Sequence, residues 1–207
     1  MNDQKAVTGY SAAETWEKSI ELLLSSRDSP IVDTDTGGAT IELESLLLEV
    51  LNPLAEPRVS DRFITPQLID GYQGVFIAPG RHRPQDTLTI ADRIYAWPTA
   101  GKNLDQVRRI VAELKSNPTS RRAIVQIWNP ELDLPSTTSK GAPSGHCFFY
   151  FSIRNEVLNL TVSSRSVDAW NGSLPNILAL TNLQQEVARR LKIPVGVFRQ
   201  FIISYHI

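Results

Sequence analysis

Two groups of side chains in this sequence have the right chemistry to hold an anion. Arg121 and Arg122 stand side by side after Ser120, and Arg165 sits among Ser163, Ser164, Ser166 and Asp168. Guanidinium forks match the oxygens of a phosphate and keep their charge at any physiological pH. Each group also has a plainer reading: an Arg-Arg pair is usually a solvated strand end, and Arg165 could form a surface ion pair with Asp168. A binding site is favoured by the density of hydroxyls and amides from Ser163 to Asn176, where a packed core would want apolar groups. His146 and His206 sit near strand ends, where a lone histidine is more often structural than catalytic. The three histidines and the single cysteine, Cys147, show no metal-ligand spacing. No phosphate-cradling glycine loop or nucleophile elbow is present either. By themselves these residues point to a small-anion site that carries arginines.

The elements that must position them can be read in outline. Ser11 followed by Glu14 is a capping box, and Trp16, Ile20, Leu23 and Leu24 continue it at helical spacing up to Arg27-Asp28-Ser29-Pro30. A polar loop, Asp33 to Gly38, leads into alternating Ile41, Leu43 and Ser45, the pattern of a strand with one wet face. Prolines interrupt every candidate element from Asn52 to Pro84, so irregular loops and short strands are expected there. Leu104, Val107, Val111 and Leu114 predict a helix ending at Asn117-Pro118. Ala123 to Trp128 reads as a strand buried on both faces, and Pro130 to Pro143 as a mobile surface loop. Cys147 to Ile153 and Val157 to Val162 form a hairpin around Arg154-Asn155-Glu156, followed by the polar run to Asn176. A long helix from Ile177 to Leu191 and a strand from Phe198 to Ile207 complete the chain. Strands outnumber helices without regular alternation. The expected class is α+β, with a large mixed or antiparallel sheet covered by helices.

Composition limits the function classes. The chain has 207 residues, 42% apolar and 21% charged, which suits one globular domain over 1–207 and excludes fibrous and disordered classes. A formal net charge of −1 argues against a protein that grips nucleic acid through phosphates, so a nucleotide partner would be small. One cysteine allows no intrachain disulfide, and no apolar run is long enough to span a membrane, so a cytoplasmic setting without membrane partners is expected.

Several segments carry a resemblance: AWP at Ala96 to Pro98, SRRAIVQIWNPELDL at Ser120 to Leu134, GHCFFYFSIRNEVLNLTVSSRSVD at Gly145 to Asp168, the turn Gly172 to Asn176, and the terminal YHI. In this order they resemble the thymidylate synthase and dCMP hydroxymethylase family. The similarity runs without a gap from Pro143 to Ile207, and the first helix fits it more loosely. It implies a nucleoside monophosphate ligand and a homodimer. Arg165 and Ser166 would hold the phosphate with Arg121 and Arg122 of a second chain. Asp168 and Asn176 would bind the pyrimidine and order the site, and His206 would bond the sugar. The family's one-carbon donor is methylenetetrahydrofolate, and no metal is implied.

The departures are equally specific. Gly145 stands where the family carries its nucleophilic cysteine, directly before His146. A pyrimidine C5 is a poor nucleophile until a thiolate adds to C6. On a regular strand Cys147 would keep the face of Gly145 but move the sulfur by roughly 6.8 Å, at about 3.4 Å per residue, too far for attack. No catalytic residue replaces it with assurance; His146 and Asp168 are the candidates. The family's glutamate- and tryptophan-bearing helix has no clear counterpart over 52–90. Ile90 replaces a tyrosine, and the Asp33 to Gly38 loop lacks an arginine. A C-terminal folate lid is expected to be absent beyond Ile207. Three functions follow: one-carbon transfer without covalent cysteine catalysis, a catalytically inactive nucleotide- or partner-binding relative, or a purely structural dimer.

Overall fold

The computed structural model describes residues 5–26, 30–33, 38–62, 89–134 and 143–207. A seven-stranded mixed sheet forms its spine. It comprises β1 (Ala6–Gly9), β2 (Ile31–Asp33), β3 (Ala39–Val50), β6 (Ile124–Gln126), β7 (His146–Arg154), β8 (Val157–Asp168) and β9 (Val195–His206). The order is β1-β3-β9-β8-β7-β6, with β2 paired to β3. β8 and β9 run parallel, as do β1 and β3, and the other pairs are antiparallel. β4 (Trp97–Thr99) and β5 (Lys102–Leu104) make a separate small hairpin. The helices are α1 (Ala12–Ser25), α2 (Ile90–Tyr95), α3 (Gln106–Ser116), α4 (Pro130–Asp133) and α5 (Ser173–Leu191). This is the α+β class expected.

Local chemistry accounts for the element ends. The Ser11 hydroxyl accepts from the Glu14 amide at 3.3 Å, and the Glu14 carboxylate reaches back to the Tyr10 amide at 2.9 Å. The helix start is therefore satisfied from both sides. The β7–β8 turn places Asn155 at φ 50° and Glu156 at φ 63°, the paired positive values that suit the twist of a tight hairpin. Lys192 in the left-handed region closes α5, and its amide bonds the carbonyls of Ala188 and Arg189.

One face of the sheet holds the core. Leu158, Leu160 and Val162 of β8, Phe149 and Phe151 of β7, and Phe198 and Ile202 of β9 are all buried on the side of α1, α3 and α5. The opposite face leaves Ile124, Phe148, Phe201 and Ile203 exposed. Register aligns Phe148, Ser163, Phe201 and Leu47 in a single row across four strands.

Three central strands break their alternation together. On β3 the buried set runs Val50, Leu48, Leu46 and then Leu43; on β8 it runs through Ser164 and then Val167; on β9 through Ile202 and then Tyr205. Leu46 pairs with Ile202 and Glu44 with Ser204, while Ser164 pairs with Ile202 and Ser166 with Ser204. Ser45, Ile203 and Arg165 therefore share the row at which the break occurs, and Ser45 takes φ 60°. A one-residue slip exchanges the two faces of a strand. Here the slip is made by all three strands at once, so register survives and the face changes.

Several expectations need correction. Ser45 does not continue the alternation of Ile41 and Leu43, for the reason just given. Leu104 lies in β5, and α3 starts after the Asp105 cap. The Ala123 to Trp128 segment is a three-residue edge strand with Ile124 exposed and Val125 buried, so one face is wet. Pro130 to Asp133 is helical, and the buried Asp133 anchors it. The polar run after Val162 is strand up to Asp168, and Asn176 lies in α5. Asp33 belongs to β2, and the rest of its loop before Gly38 lies outside the described residues, as do 63–88 and 135–142. No described helix is long and apolar enough to cross a membrane.

Candidate functional site

Arg165 stands at the shared break, half-buried. Its Nε donates to the Ser144 carbonyl at 2.9 Å and its Nη2 to the Pro143 carbonyl at 3.2 Å. The guanidinium also lies 5.5 Å from the centroid of the Trp128 ring, within reach of a cation–π contact. Two neutral acceptors and an aromatic face orient the cation without neutralising it. The ion pair with Asp168 envisaged from sequence does not form. Both Asp168 oxygens serve the loop after β8: Oδ1 accepts from the Trp170 and Asn171 amides at 2.9 and 2.7 Å, and Oδ2 from Asn171 Nδ2 at 3.1 Å. Asp168 is thus a loop-ordering carboxylate at the head of α5.

Behind this lies a buried polar line. His146 Nδ1 is 2.9 Å from Ser164 Oγ, and Gln200 Nε2 donates to the same oxygen at 2.9 Å. Burial pushes the His146 imidazole down to about 4, partly opposed by a hydrogen bond with the Asn176 side chain. The ring is therefore neutral at pH 7. His206 is half-exposed, with Nδ1 3.4 Å from Ser204 Oγ, and its backbone carbonyl accepts from the Ala169 amide at 2.7 Å. Trp16 Nε1 donates to the Ala169 carbonyl at 2.8 Å, tying α1 to the same loop. Strand end, loop and first helix are pinned within two residues of one another.

The corner at Gly145 is closed. Its carbonyl accepts from the Arg165 amide at 2.8 Å and, more weakly, from Ser166 at 3.5 Å. A Cβ added there would stand 2.6 Å from the Ser166 carbonyl oxygen, closer than backbone atoms tolerate. The missing thiol is therefore also a missing space. Cys147 does not lie where a regular strand would carry it. His146 pairs with Ser164 and Phe148 with Ser163, so Cys147 is the extra residue of a β-bulge. The extrapolation of a fixed shift along one face from Gly145 fails for that reason. Burial pushes the Cys147 thiol up, against lowering contacts from Arg165 and Ser163. The thiolate is disfavoured, the opposite of a poised nucleophile.

A buried ion pair supports this corner from behind. Arg93 of α2 forks onto Asp133 at 2.6 and 2.7 Å and also donates to the Ile127 carbonyl at 2.7 Å. Asp133 accepts from the Asn129 and Ser144 amides at 2.7 and 3.2 Å. Burial alone would push its carboxyl up, but these bonds hold it below the usual carboxylate value. The segment that delivers Ser144 and Gly145 to β7 is thereby held to the body of the protein.

Arg121 and Arg122 are exposed just before β6, and the Arg122 amide bonds Ser120 Oγ at 3.2 Å. They stand toward the other end of β7 from Arg165: the Phe151 amide bonds the Ala123 carbonyl, whereas the Arg165 amide bonds that of Gly145. An open groove of about 430 Å³ lies along α3, lined among others by Arg109, Glu113, Arg122 and Ile124. It shares only Arg122 with the predicted site. Ser166 is half-buried in β8 beside Arg165. Sequence reasoning missed Gln200, the connecting role of Ser164, and the Arg93–Asp133 pair. The first two left one signal, a glutamine and a serine at positions that strand alternation assigns to the apolar face. The capping box of Thr89 and Asp92 could have revealed α2, and with it Arg93.

Comparison with known proteins follows the same residues. The thymidylate synthase family matches residues 75–207, which takes in Arg121, His146, Arg165, Asn176 and His206. A protein of Methanocaldococcus jannaschii described as "Putative thymidylate synthase" is 27% identical over 208 residues, covering 95% of this chain and 87% of that protein.

Proposed function

The chain belongs to the thymidylate synthase family, and on that footing we propose that it binds a pyrimidine nucleoside monophosphate and works without a cysteine nucleophile at position 145. The observation that carries the second half is the 2.6 Å approach between a Cβ at Gly145 and the Ser166 carbonyl. The binding half is supported by Arg165, whose cation is oriented by carbonyls and Trp128 yet left with charge to offer. Ser166 extends the phosphate site, Asn176 meets the base and His206 the sugar. His146 and Asp168 set the positions of Asn176 and the loop.

One-carbon transfer in such a site requires a substrate that is already nucleophilic, such as an exocyclic amine or an electron-rich ring. Methylenetetrahydrofolate or formaldehyde would be the co-substrate. The attacking atom loses a proton and bonds the methylene carbon while that carbon's C–N bonds to the folate break in turn, and water takes the vacated position to leave a hydroxymethyl group and free tetrahydrofolate. With formaldehyde the C=O oxygen becomes the hydroxyl directly, and neither route needs a reductant or a thioether at C6. The second reading is a nucleotide-binding relative without activity, favoured by the raised Cys147 thiol and the closed Gly145 corner together.

A homodimer fits the exposed apolar row around Phe148 and Phe201, with Arg121 and Arg122 beside it at the β6 edge. Covering that row would remove a large apolar patch from water. Thermal-shift and titration measurements with dUMP and dCMP test the binding. Arg165→Ala should weaken the phosphate-bearing ligand about 10–100-fold, the loss of one or two charge-assisted bonds. Unchanged affinity would refute the site. Mass spectrometry of a nucleotide panel with methylenetetrahydrofolate then separates the two readings: a product one carbon heavier supports transfer, and none supports the inactive binder.

A further inference from the structure

We propose that the buried Arg93–Asp133 pair is a positioning device for the Arg165 cation, and so sets how tightly the phosphate of the nucleotide is held. This rests on reading the cleft as a nucleotide site. Among the described residues three groups orient the Arg165 guanidinium: the Ser144 carbonyl at 2.9 Å, the Pro143 carbonyl at 3.2 Å and the Trp128 ring, with its centroid at 5.5 Å. All three are anchored by the same ion pair. Its side chains are only 6% and 2% exposed, so it acts on a ligand through other groups and not by contact.

The Ser144 amide donates to Asp133 Oδ1 at 3.2 Å. That N–H and the Pro143 carbonyl belong to one planar peptide unit and point opposite ways, so fixing the first directs the second at Arg165 Nη2. The Ser144 carbonyl follows on the same residue and meets Arg165 Nε. Trp128 is gripped from both sides. The Ile127 carbonyl before it accepts from Arg93 Nη1 at 2.7 Å, and the Asn129 amide after it donates to Asp133 Oδ2 at 2.7 Å. A carboxylate accepts several N–H bonds at once and holds each more firmly than a neutral oxygen does, while the Arg93 fork at 2.6 and 2.7 Å offsets its charge. The charges of the pair cancel, and Arg165 keeps its own for the ligand. Without the pair, the Pro143–Ser144 peptide and Trp128 lose their common anchor, and binding a phosphate has to order Arg165 as well.

Calorimetric titration of dUMP and of deoxyuridine, the same ligand without its phosphate, tests this. Replacing the pair together, Arg93→Leu with Asp133→Leu, leaves neither buried charge unpaired. It should weaken dUMP by about tenfold and deoxyuridine by less than about twofold. In an Arg165→Ala background the same replacement should leave dUMP binding unchanged, since the cation it positions is gone. Equal losses for the two ligands, a loss that persists undiminished without Arg165, or no loss at all overturns the proposal, because a pair that only supports the fold would act on every ligand alike. If dUMP alone binds measurably, the Arg165→Ala background decides. Where the paired variant does not fold, Asp133→Asn, which keeps the shape and gives up one accepting oxygen, takes its place with the same expected pattern. 15N NMR of the Arg165 Nε–H in the nucleotide-free protein reads the positioning directly. Its exchange with solvent should speed up by about tenfold in either variant, and an unchanged rate refutes the positioning. If wild type binds neither dUMP nor deoxyuridine, the nucleotide-site reading fails by itself, and that exchange rate still decides whether the pair positions Arg165.

Discussion

The two ends of the stretch from Gly145 to Asn176 are built on different principles. Around Arg165 and His146 the structure is a set of oriented side-chain hydrogen bonds. Around Gly145 it is backbone against backbone, with no space for a side chain. Binding apparatus of the first kind depends on strand register, which many other contacts enforce. A nucleophile depends on one Cβ and the volume around it. The first can persist through changes that eliminate the second.

Breaking the support of the closed corner should have the largest effect. Arg93→Ala leaves the Asp133 carboxylate buried beside Asn129 and Ser144 without its cation, and should cost about 3–5 kcal/mol in urea unfolding. A paired replacement, Arg93→Leu with Asp133→Leu, should recover much of it. Equal losses in the single and the double variant would show that this pair does not hold the corner.

The binding end should announce itself through pH. The His146 imidazole stands at about 4 in the fold against an ordinary 6.5. The unfolded chain therefore binds the extra proton first, and stability falls as pH drops from 6.5 toward 4. The integrated loss is about 3 kcal/mol. Glu186, held at about 2 by Arg189 and Arg190, contributes only below its ordinary 4.5, so the upper part of the window belongs to His146. His146→Gln should flatten the stability profile there, and denaturant midpoints at three pH values would reveal whether it does.

The smallest effect sharpens the comparison most directly. Gly145→Cys should cost about 1–3 kcal/mol through overpacking against Ser166, and should release no tritium from C5-labelled dUMP. Tritium release from that variant would mean that the two ends differ in residue type alone, and that the corner opens when a ligand is bound.

Much of this was legible beforehand. The capping box before Trp16, the β7–β8 hairpin, the apolar stripe of α5 and the final strand all follow local rules, and each formed where expected, although β8 runs on past Val162 to Asp168. The resemblance supplied Arg165, Ser166, Asn176 and His206, and the fold brings His146 and Asn176 into contact. What failed did so where neighbours decide. Ser45 and Arg165 leave their alternation because Ile203 leaves it in the strand between them. Cys147 became a bulge, and Ala123 to Trp128 an edge strand, through pairings that no local pattern displays.

By itself, then, the sequence determined the fold class, the order of its longer strands and helices, and the residue types available to grip an anion. Those follow from periodicity, caps and charge, which act over a few residues. Only the tertiary structure decided that Gly145 has no room for a thiol, that Gln200 bonds Ser164 behind His146, and that Asp168 serves a loop and not Arg165. These are matters of which backbone lies within about 3 Å of which, and long-range strand pairing sets those distances.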